Sequence, residues 1–316
     1  MIDVSIIIVN WNTCGITCDC LRSVYEQTKN VEFEIILVDN ASSDDSVETI
    51  RKEFPEVVLI ENSENRGFAA ANNQGMEIAR GRYILLLNSD TIVLDNAIEK
   101  TAAFADEHPG AGIVGCRVLN GDLSLQPNCF MYPSVLNMLL SGTFLYKIFS
   151  GSKFFGREGM TWWDFNEIRQ VDVVRGCFML VRRAAVEQVG VLDEDYFFYA
   201  EETDFCYRVK KAGWDILFTP DSEIIHLGGQ SSKQIKPQRI MQLRAGILQF
   251  IKKHKSLFSY ILACVLTSAF FCIRVPYWLV KSVVSDNRQQ HLTVSITYMK
   301  ASFKSLFGWK ALSWKK

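Results

Sequence analysis

Four short polar clusters follow apolar runs: Asn10, Trp11 and Asn12; Asp39 and Asn40; Asn65, Arg66 and Gly67; and Asn88, Ser89 and Asp90. If the runs are strands of one sheet, these groups share an edge resembling a nucleotide pocket, with a ring to stack in Trp11 and carboxylates beside it. The simpler reading is that Asp39 and Asp90 cap the helices that follow them. The acidic cluster at 193–204 holds Asp193, Glu194, Asp195, Glu201, Glu202 and Asp204 among Tyr196, Phe197, Phe198, Tyr199 and Phe205. Burial and mutual repulsion there raise carboxylate pKa values, which makes a general base usable near neutral pH. The same residues also suit the first turn of a helix over 201–212, where acids complement the dipole. His226, at a strand end ahead of Gly228 and Gly229, is either a metal ligand or a structural histidine.

The elements that must position these groups alternate. VSIIIV (4–9) reads as a strand, 13–29 as a helix and EIILVD (34–39) as a strand. SSDDSVETIRKEF reads as a helix with a serine cap and an acidic first turn. VVLIE (57–61) is a strand, 67–80 a helix and YILLLN (83–88) a strand. Continuous apolar strands separated by helices imply a parallel sheet covered on both faces, an α/β doubly wound architecture. Regularity breaks between 119 and 170, a stretch with Pro127, Pro133, several glycines, the apolar VLNMLLSGTFLYKIF and the pair Trp162 and Trp163. It is too long and too apolar for an ordinary connector. Beyond it CFMLV, DILFT and SEIIH read as strands, and AAVEQV and EETDFCYRVKKAG as helices.

Composition and absent motifs narrow the function. At 48% hydrophobic and 22% charged the chain is not disordered. No glycine precedes a lysine, which excludes a P-loop. GxSxG and HExxH are absent too. A phosphate-bearing ligand must then be held by a cation, by Arg66 or by helix N-termini. Met1 leads almost directly into VSIIIV without a signal-peptide pattern, and nine cysteines read as reduced thiols in the cytosol. Cys14, Cys18 and Cys20 form no CxxC pair and read as small buried hydrophobes.

Seven stretches in order carry a resemblance: SIIIVNWN, ILVDNASSDDS, ENRGFAAANNQG, YILLLNSDTIV, VRGCFMLVRR, VGVLDEDYFFYAEETDFCYRVKKAGW and IIHLGGQS. Over some 230 positions, from residue 4 to about 232, the chain resembles family 2 glycosyltransferases, especially the bacterial rhamnosyltransferase-like branch. The resemblance implies the GT-A fold, a Rossmann-like, mostly parallel sheet. It implies a nucleotide-sugar-binding half over 1–118 and an acceptor-binding and catalytic half over 119–232. Asn10, Trp11, Asp39, Arg66 and Gly67 fall on the donor side, with Trp11 and Asp39 matching positions for base and ribose. Asn88, Ser89 and Asp90 stand where the family has its DxD motif, so Asp90 would bind a divalent cation, Mg2+ or Mn2+, that bridges the donor diphosphate. His226 matches a position that completes the metal site in some relatives. In Glu201–Glu202–Thr203–Asp204 the family usually has Glu-Asp-x-Asp with the second residue as base. Here that residue is Glu202, one methylene longer, which leaves Glu201 and Asp204 as alternatives. Arg175, before Gly176, departs from the family's usual small residue. The reaction implied is one displacement with inversion, from a nucleoside-diphosphate-sugar to a glycan; deoxythymidine-diphosphate-rhamnose is the branch's best-known donor.

The net charge of −1 hides an asymmetry. From Lys233 onward there are fifteen Lys/Arg and one acid, Asp286, so 233–316 carries +14 and the remainder −15. Such a tail points to a polyanion. Its cations are spread among long apolar runs and no nucleic-acid module is present, which favours an anionic membrane over nucleic acid. Ser256 to Ile273 is uncharged over 18 residues, roughly 27 Å as a helix and a little short of a bilayer core, before Arg274 and Pro276 interrupt. Lys252, Lys253 and Lys255 lie on one flank; Lys281, Arg288, Lys300, Lys304, Lys310, Lys315 and Lys316 lie on the other. Positive charge on both flanks opposes a definite crossing and favours a monotopic tail on the cytoplasmic face, with Trp278, Trp309 and Trp314 at the headgroups. A single span and a buried helix pair are the alternatives. With the enzyme reading, this tail implies a lipid-linked acceptor such as a polyprenyl-diphosphate oligosaccharide. The competing functions are a catalytically silent nucleotide- or glycan-binding relative and a soluble transferase that does not need the tail.

Overall fold

The structure is a computed structural model describing residues 2–228 and 236–312. Gly229, Lys233, Trp314, Lys315 and Lys316, all named above, lie outside the described residues. The chain divides into two compact units. One comprises Met1–Tyr132, Trp163–Phe197 and Glu201–Ser231; the other comprises Pro133–Trp162, Phe198–Ala200 and Ser232–Lys316.

In the first unit β1 (Val4–Asn10), α1 (Cys14–Gln27), β2 (Phe33–Asp39), α2 (Ser46–Glu53), β3 (Val58–Glu61), α3 (Phe68–Ile78) and β4 (Tyr83–Asn88) follow the expected alternation. Then come β5 (Thr91–Val93), α4 (Ala97–Glu107), β6 (Ala111–Leu119) and a two-residue strand β7 (Cys129–Phe130). After a passage through α5 (Val135–Gly142) and α6 (Leu145–Ile148) of the second unit, the chain returns with β8 (Arg169–Gln170), β9 (Val173–Val174), β10 (Phe178–Arg182), α7 (Arg183–Val189), α8 (Glu201–Lys211) and β11 (Asp215–His226). The main sheet runs β3-β2-β1-β4-β10-β6-β11-β5, with β8 beside β11. β1 pairs in parallel with β2 and β4, Val9 opposite Val38 and Asn88, so these three strands end at one level. β10 is inserted antiparallel between β4 and β6, which makes the sheet mostly parallel.

Ile6, Ile7 and Ile8 are all fully buried, as a strand covered on both faces requires. One layer of the core joins Ile6, Ile8, Leu37, Leu85 and Leu87 to Leu21, Val24, Ile98 and Phe104 of α1 and α4. On β1's other face α3 packs so closely that a Cβ on Gly75 would lie 2.6 Å from Ile7 Cγ2. Cys18 and Cys20 are buried in this core as small apolar side chains.

Three details differ from expectation. α2 begins at Ser46 with Asp45 as its cap residue; Ser46 donates its hydroxyl to Asp44 instead of capping the helix. DILFT and SEIIH are one strand, β11, whose pairing with β6 shifts register between Thr219 and Glu223. Residues 133–162, expected with the catalytic half, cluster with the tail because the apolar α5 packs on the tail's longest helix. Trp163 is part of the first unit's core, stacked on Phe165 at 4.2 Å and edge-on to Phe218 at 4.8 Å.

The second unit is helical: besides α5 and α6 it holds α9 (Lys236–His254), α10 (Leu257–Val284), α11 (Arg288–Ser305) and α12 (Trp309–Leu312). Arg274 and Pro276 do not end α10, which runs through both for 28 residues. Arg274 stays in the helix by donating from Nη1 to the Phe270 carbonyl, 2.7 Å away on the preceding turn. α10 and α11 pair as a hairpin through small and aromatic residues. Ser302 donates to the Ser268 carbonyl at 3.0 Å, and Phe271 meets Tyr298 at 5.3 Å.

Candidate active site

The carboxyl ends of β1 and β2 are locked together by side chains. Asn10 Nδ2 donates to Asp39 Oδ1 at 2.8 Å and to Ser42 Oγ at 3.1 Å, while Thr13 and Thr17 donate to Asn10 Oδ1. Asp39, 2% exposed, also accepts from Ser42 N at 2.9 Å and Ser42 Oγ at 2.6 Å. Asp39 caps no helix, since α2 starts at Ser46, and Asp90 is followed by a strand, β5. Both carboxylates are therefore held at the sheet edge for another purpose than capping. Trp11 is half-buried in the loop behind β1, and Asn12 (φ 52°) and Ala41 (φ 63°) turn the chain there in the left-handed region. Such strain persists where surrounding contacts impose it and gathers at ligand sites.

Asn40 organises the loop behind β3. Its Nδ2 donates to Asn65 Oδ1 at 3.1 Å and to the Gly67 carbonyl at 3.2 Å; its Oδ1 accepts from Arg66 N and Asn62 Nδ2. Arg66 is exposed and makes no ion pair among the described residues, so its guanidinium is free to meet an anion. Gly67 has φ +85°, and the Phe197 carbonyl, which accepts from Phe68 N at 2.9 Å, would lie 2.6 Å from a Cβ there. This glycine brings the loop ahead of α8 onto the start of α3.

At the end of β4 His226 meets the Asn88–Asp90 turn. His226 Nε2 lies 3.2 Å from Asp90 Oδ1 and 3.2 Å from Asn88 Nδ2; Nδ1 lies 2.6 Å from Gln126 Oε1. The Gln126 amide nitrogen donates to Asn120 Oδ1 and to the His226 carbonyl, so its oxygen faces the ring and takes the Nδ1 proton. Nε2 is thus left as an acceptor, reached by the Asn88 amide and facing Asp90. A cation shared by Asp90 and His226 would also suit that pair. Neighbouring ligands of an octahedral cation at ~2.1 Å are about 3 Å apart, which this spacing matches. Among the described residues no three His, Cys, Asp or Glu side chains converge, so protein ligation would come from Asp90 and His226. Sites for Mg2+ and similar ions with one or two protein ligands draw the rest from water and substrate phosphate. Gln126, which fixes the ring, carries no sequence signal; it lies 100 residues from His226 in the irregular stretch.

The carboxylates of α8 separate by environment. The chain enters α8 through Tyr199 (φ 73°) and Ala200 (φ 72°), two consecutive non-glycine residues in the left-handed region. Glu201 is buried, its Oε2 has no hydrogen-bond partner, and burial, followed by the charge of Glu202, pushes its pKa well above the usual carboxylate range. Asp204 is fully buried and bound at 2.7 Å to Arg208, whose other nitrogens donate to the carbonyls of Val189 and Val191. That geometry ties α8 to the segment after α7. Glu202 is half-buried, its Cβ 3.8 Å from the position of a Cβ on Gly176. The next residue, Cys177, accepts from Asn88 N at 3.1 Å, so Glu202 stands one residue from the backbone contact of the Asn88–Asp90 turn. Arg175 donates its amide to the Asn128 carbonyl and lays its guanidinium 4.9 Å from the centre of Phe130.

Residues 5–128 match the family described as Glycosyl transferase family 2. The chain is 27% identical over 208 residues to an N-acetylglucosaminyl-diphospho-decaprenol L-rhamnosyltransferase of Mycobacterium tuberculosis, covering 61% of this chain and 66% of that protein. It is 25% identical over 218 residues to a low-salt glycan biosynthesis hexosyltransferase of Haloferax volcanii, covering 68% of this chain and 64% of that one. The matches span just under two thirds of these relatives' own length. In fold the chain is similar to a mannosyltransferase of Pyrobaculum calidifontis in complex with GDP-Man and Mn2+, with a TM-score of 0.57 at 16% identity over 96% of this chain and 87% of that one.

Proposed function

We propose that the chain is a family 2 glycosyltransferase of the rhamnosyltransferase-like branch, an inverting, cation-dependent enzyme of cell-surface glycan synthesis. In this reading it moves a sugar from a nucleoside-diphosphate-sugar to a glycan carried on a polyprenyl diphosphate, with deoxythymidine-diphosphate-rhamnose the first donor to test. The observation that carries the reading is Glu202 beside Gly176, whose neighbour Cys177 is bonded to the turn bearing Asp90. A general base and a diphosphate-holding group belong on one sheet edge if a hydroxyl is to attack a sugar whose leaving group departs there.

Trp11 and Asp39 would hold base and ribose, and Arg66 the diphosphate, with Asn10 and Gly67 shaping the loops that carry them. Asp90 and His226, with Asn88 beside them, would hold Mg2+ or Mn2+. When bound, that ion offsets the charge developing on the departing nucleoside diphosphate. Glu202 takes the proton from the acceptor hydroxyl as it attacks the anomeric carbon from the face opposite the leaving group. Glu201, the preceding residue of α8, is buried with its pKa raised by burial and then by the charge of Glu202, and Asp204 positions α8 through Arg208.

The second unit is read as a monotopic anchor on the cytoplasmic face of the cell membrane. α10 is apolar enough to cross a bilayer, with 22% of its most apolar window buried. Arg274 and Lys281 within it, and the basic α9 ahead of it, favour lying at an anionic surface over crossing.

A panel of nucleotide-sugars, assayed for release of nucleoside diphosphate with Mg2+, with Mn2+ and with chelator, tests the enzyme. Cation-dependent release with one sugar is expected; nucleotide binding without release would make the chain a silent relative. Carbonate and salt washes of membranes test the anchor, and a protein staying in the supernatant would end that reading.

A further inference from the structure

Arg244 of α9 and Arg274 of α10 converge on one aromatic ring. Their guanidinium carbons lie 3.8 Å and 3.5 Å from the centre of Phe270, and Arg274 also lies 4.7 Å from the centre of Phe144. Two cations so placed repel each other, yet among the described residues neither is in an ion pair. Arg274 spends Nη1 on the Phe270 carbonyl, while its Nη2 is buried without a hydrogen-bond partner. Glu158 is the carboxylate that acts on Arg244, but it is itself buried and pushed toward its neutral form. Tyr146 and Tyr298 complete the titratable groups facing the two arginines. A half-buried guanidinium with an unmet buried donor is costly unless an anion completes it, and the planar fork matches the oxygens of a phosphate.

We propose that Arg244 and Arg274 form a binding site for the phosphate or diphosphate of a membrane lipid. The lipid source follows from the same helix. α10 exposes Ile261, Val265, Ile273, Tyr277, Val280 and Val283, an apolar length on which a hydrocarbon tail can lie while its headgroup reaches Arg274. A soluble phosphate would gain nothing from that surface. Burial among cations and rings already depresses Arg244 to about 10, so a bound anion restores what burial takes away. The site rests on the glycosyltransferase reading for its role, the capture of a polyprenyl-diphosphate acceptor, but not for its existence.

The test uses the full chain in mild detergent, with farnesyl diphosphate and inorganic diphosphate as probes and a nucleoside diphosphate as control. Farnesyl diphosphate is expected to bind at least tenfold more tightly than inorganic diphosphate. Arg274→Gln should lose at least tenfold in farnesyl diphosphate affinity, and Arg274→Lys, which keeps the charge without the fork, should lose part of it. Both variants should melt like the parent and keep nucleotide binding. Unchanged farnesyl diphosphate affinity in Arg274→Gln would overturn the site, and equal affinity for the two probes would overturn the lipid source. Should Arg244→Gln fail to fold, the Arg274 pair decides alone. Loss of nucleotide release from the parent, with farnesyl diphosphate binding intact, would instead defeat the enzyme reading and leave the site standing.

Discussion

His226 Nε2 sits 3.2 Å from Asp90 Oδ1 because Gln126 holds the other side of the ring at 2.6 Å. An imidazole donating from Nδ1 offers its Nε2 lone pair to a cation, and second-layer partners of this kind tune affinity by about 10–100-fold. Gln126→Leu should therefore raise the Mn2+ concentration needed for nucleoside diphosphate release by roughly that factor. Direct Mn2+ titration by electron paramagnetic resonance should move in parallel. A variant with wild-type Mn2+ dependence would show that His226 serves the fold alone.

Glu202→Gln removes the proposed proton acceptor while keeping shape and polarity. Turnover should fall by about 10²–10⁴-fold, the usual contribution of general base catalysis, with donor affinity unchanged. Asp204→Asn should act differently, lowering the melting temperature by loosening Arg208 from a fully buried carboxylate. Steady-state kinetics and thermal melts on both variants separate the roles. Turnover largely intact in Glu202→Gln would remove the assignment.

The sheet was legible because its strands are buried on both faces, so VSIIIV and YILLLN appear as unbroken apolar runs. Asn10, Asp39 and Asn88 were legible for the same reason: each is the first polar group after such a run. What the sequence concealed comes from contacts between distant residues. Gln126 reaches His226 across 100 positions. Arg182 and Arg183, read only as part of a resemblance, reach back to carbonyls near the ends of α4 and α3, Arg182 to Ala105 and Arg183 to Ala79. The continuity of α10 through Arg274 and Pro276 was hidden because a proline and a charge normally break an apolar helix, and here one guanidinium nitrogen, Nη1, is held by the helix's own Phe270 carbonyl.

Glu201 gives the stability of the protein a pH dependence whose sign is fixed. Burial, then Glu202, holds its native pKa above the ordinary value of 4.5. Between those two values the unfolded chain has lost the proton and the native one retains it, so stability falls as pH rises from about 4.5 through the native pKa. Glu201→Gln mimics the protonated form and removes this loss. Its melting temperature should match the parent near pH 5 and exceed it at pH 8, each ~1 kcal/mol appearing as about 2–4 °C in a domain of this size. A parent that gains stability over that range relative to the variant would mean that Glu201 is ionised in the native state.

Gly67 and Gly176 make a paired test of how the α8 carboxylates are held. At Gly67 the backbone has φ +85° and a Cβ would meet the Phe197 carbonyl at 2.6 Å, so Gly67→Ala must both strain the loop and displace the chain leading into α8. The loss of stability should exceed ~1 kcal/mol, since the conformational penalty and the clash add. Activity should fall further than the melt accounts for, because Glu202 moves with its helix. At Gly176 the contacts of a Cβ are ordinary, 3.6 Å to Phe68 Cε1 and 3.8 Å to Glu202 Cβ. Gly176→Ala should therefore melt within ~0.5 kcal/mol of the parent, like other substitutions that neither strain nor unpair a group. Its added methyl still narrows the space beside Glu202, so a raised KM for the acceptor with the donor KM unchanged is expected. Thermal melts and two-substrate kinetics on the two variants separate the positions: a Gly67→Ala protein as stable and active as the parent would show that the Phe197 contact does not position α8.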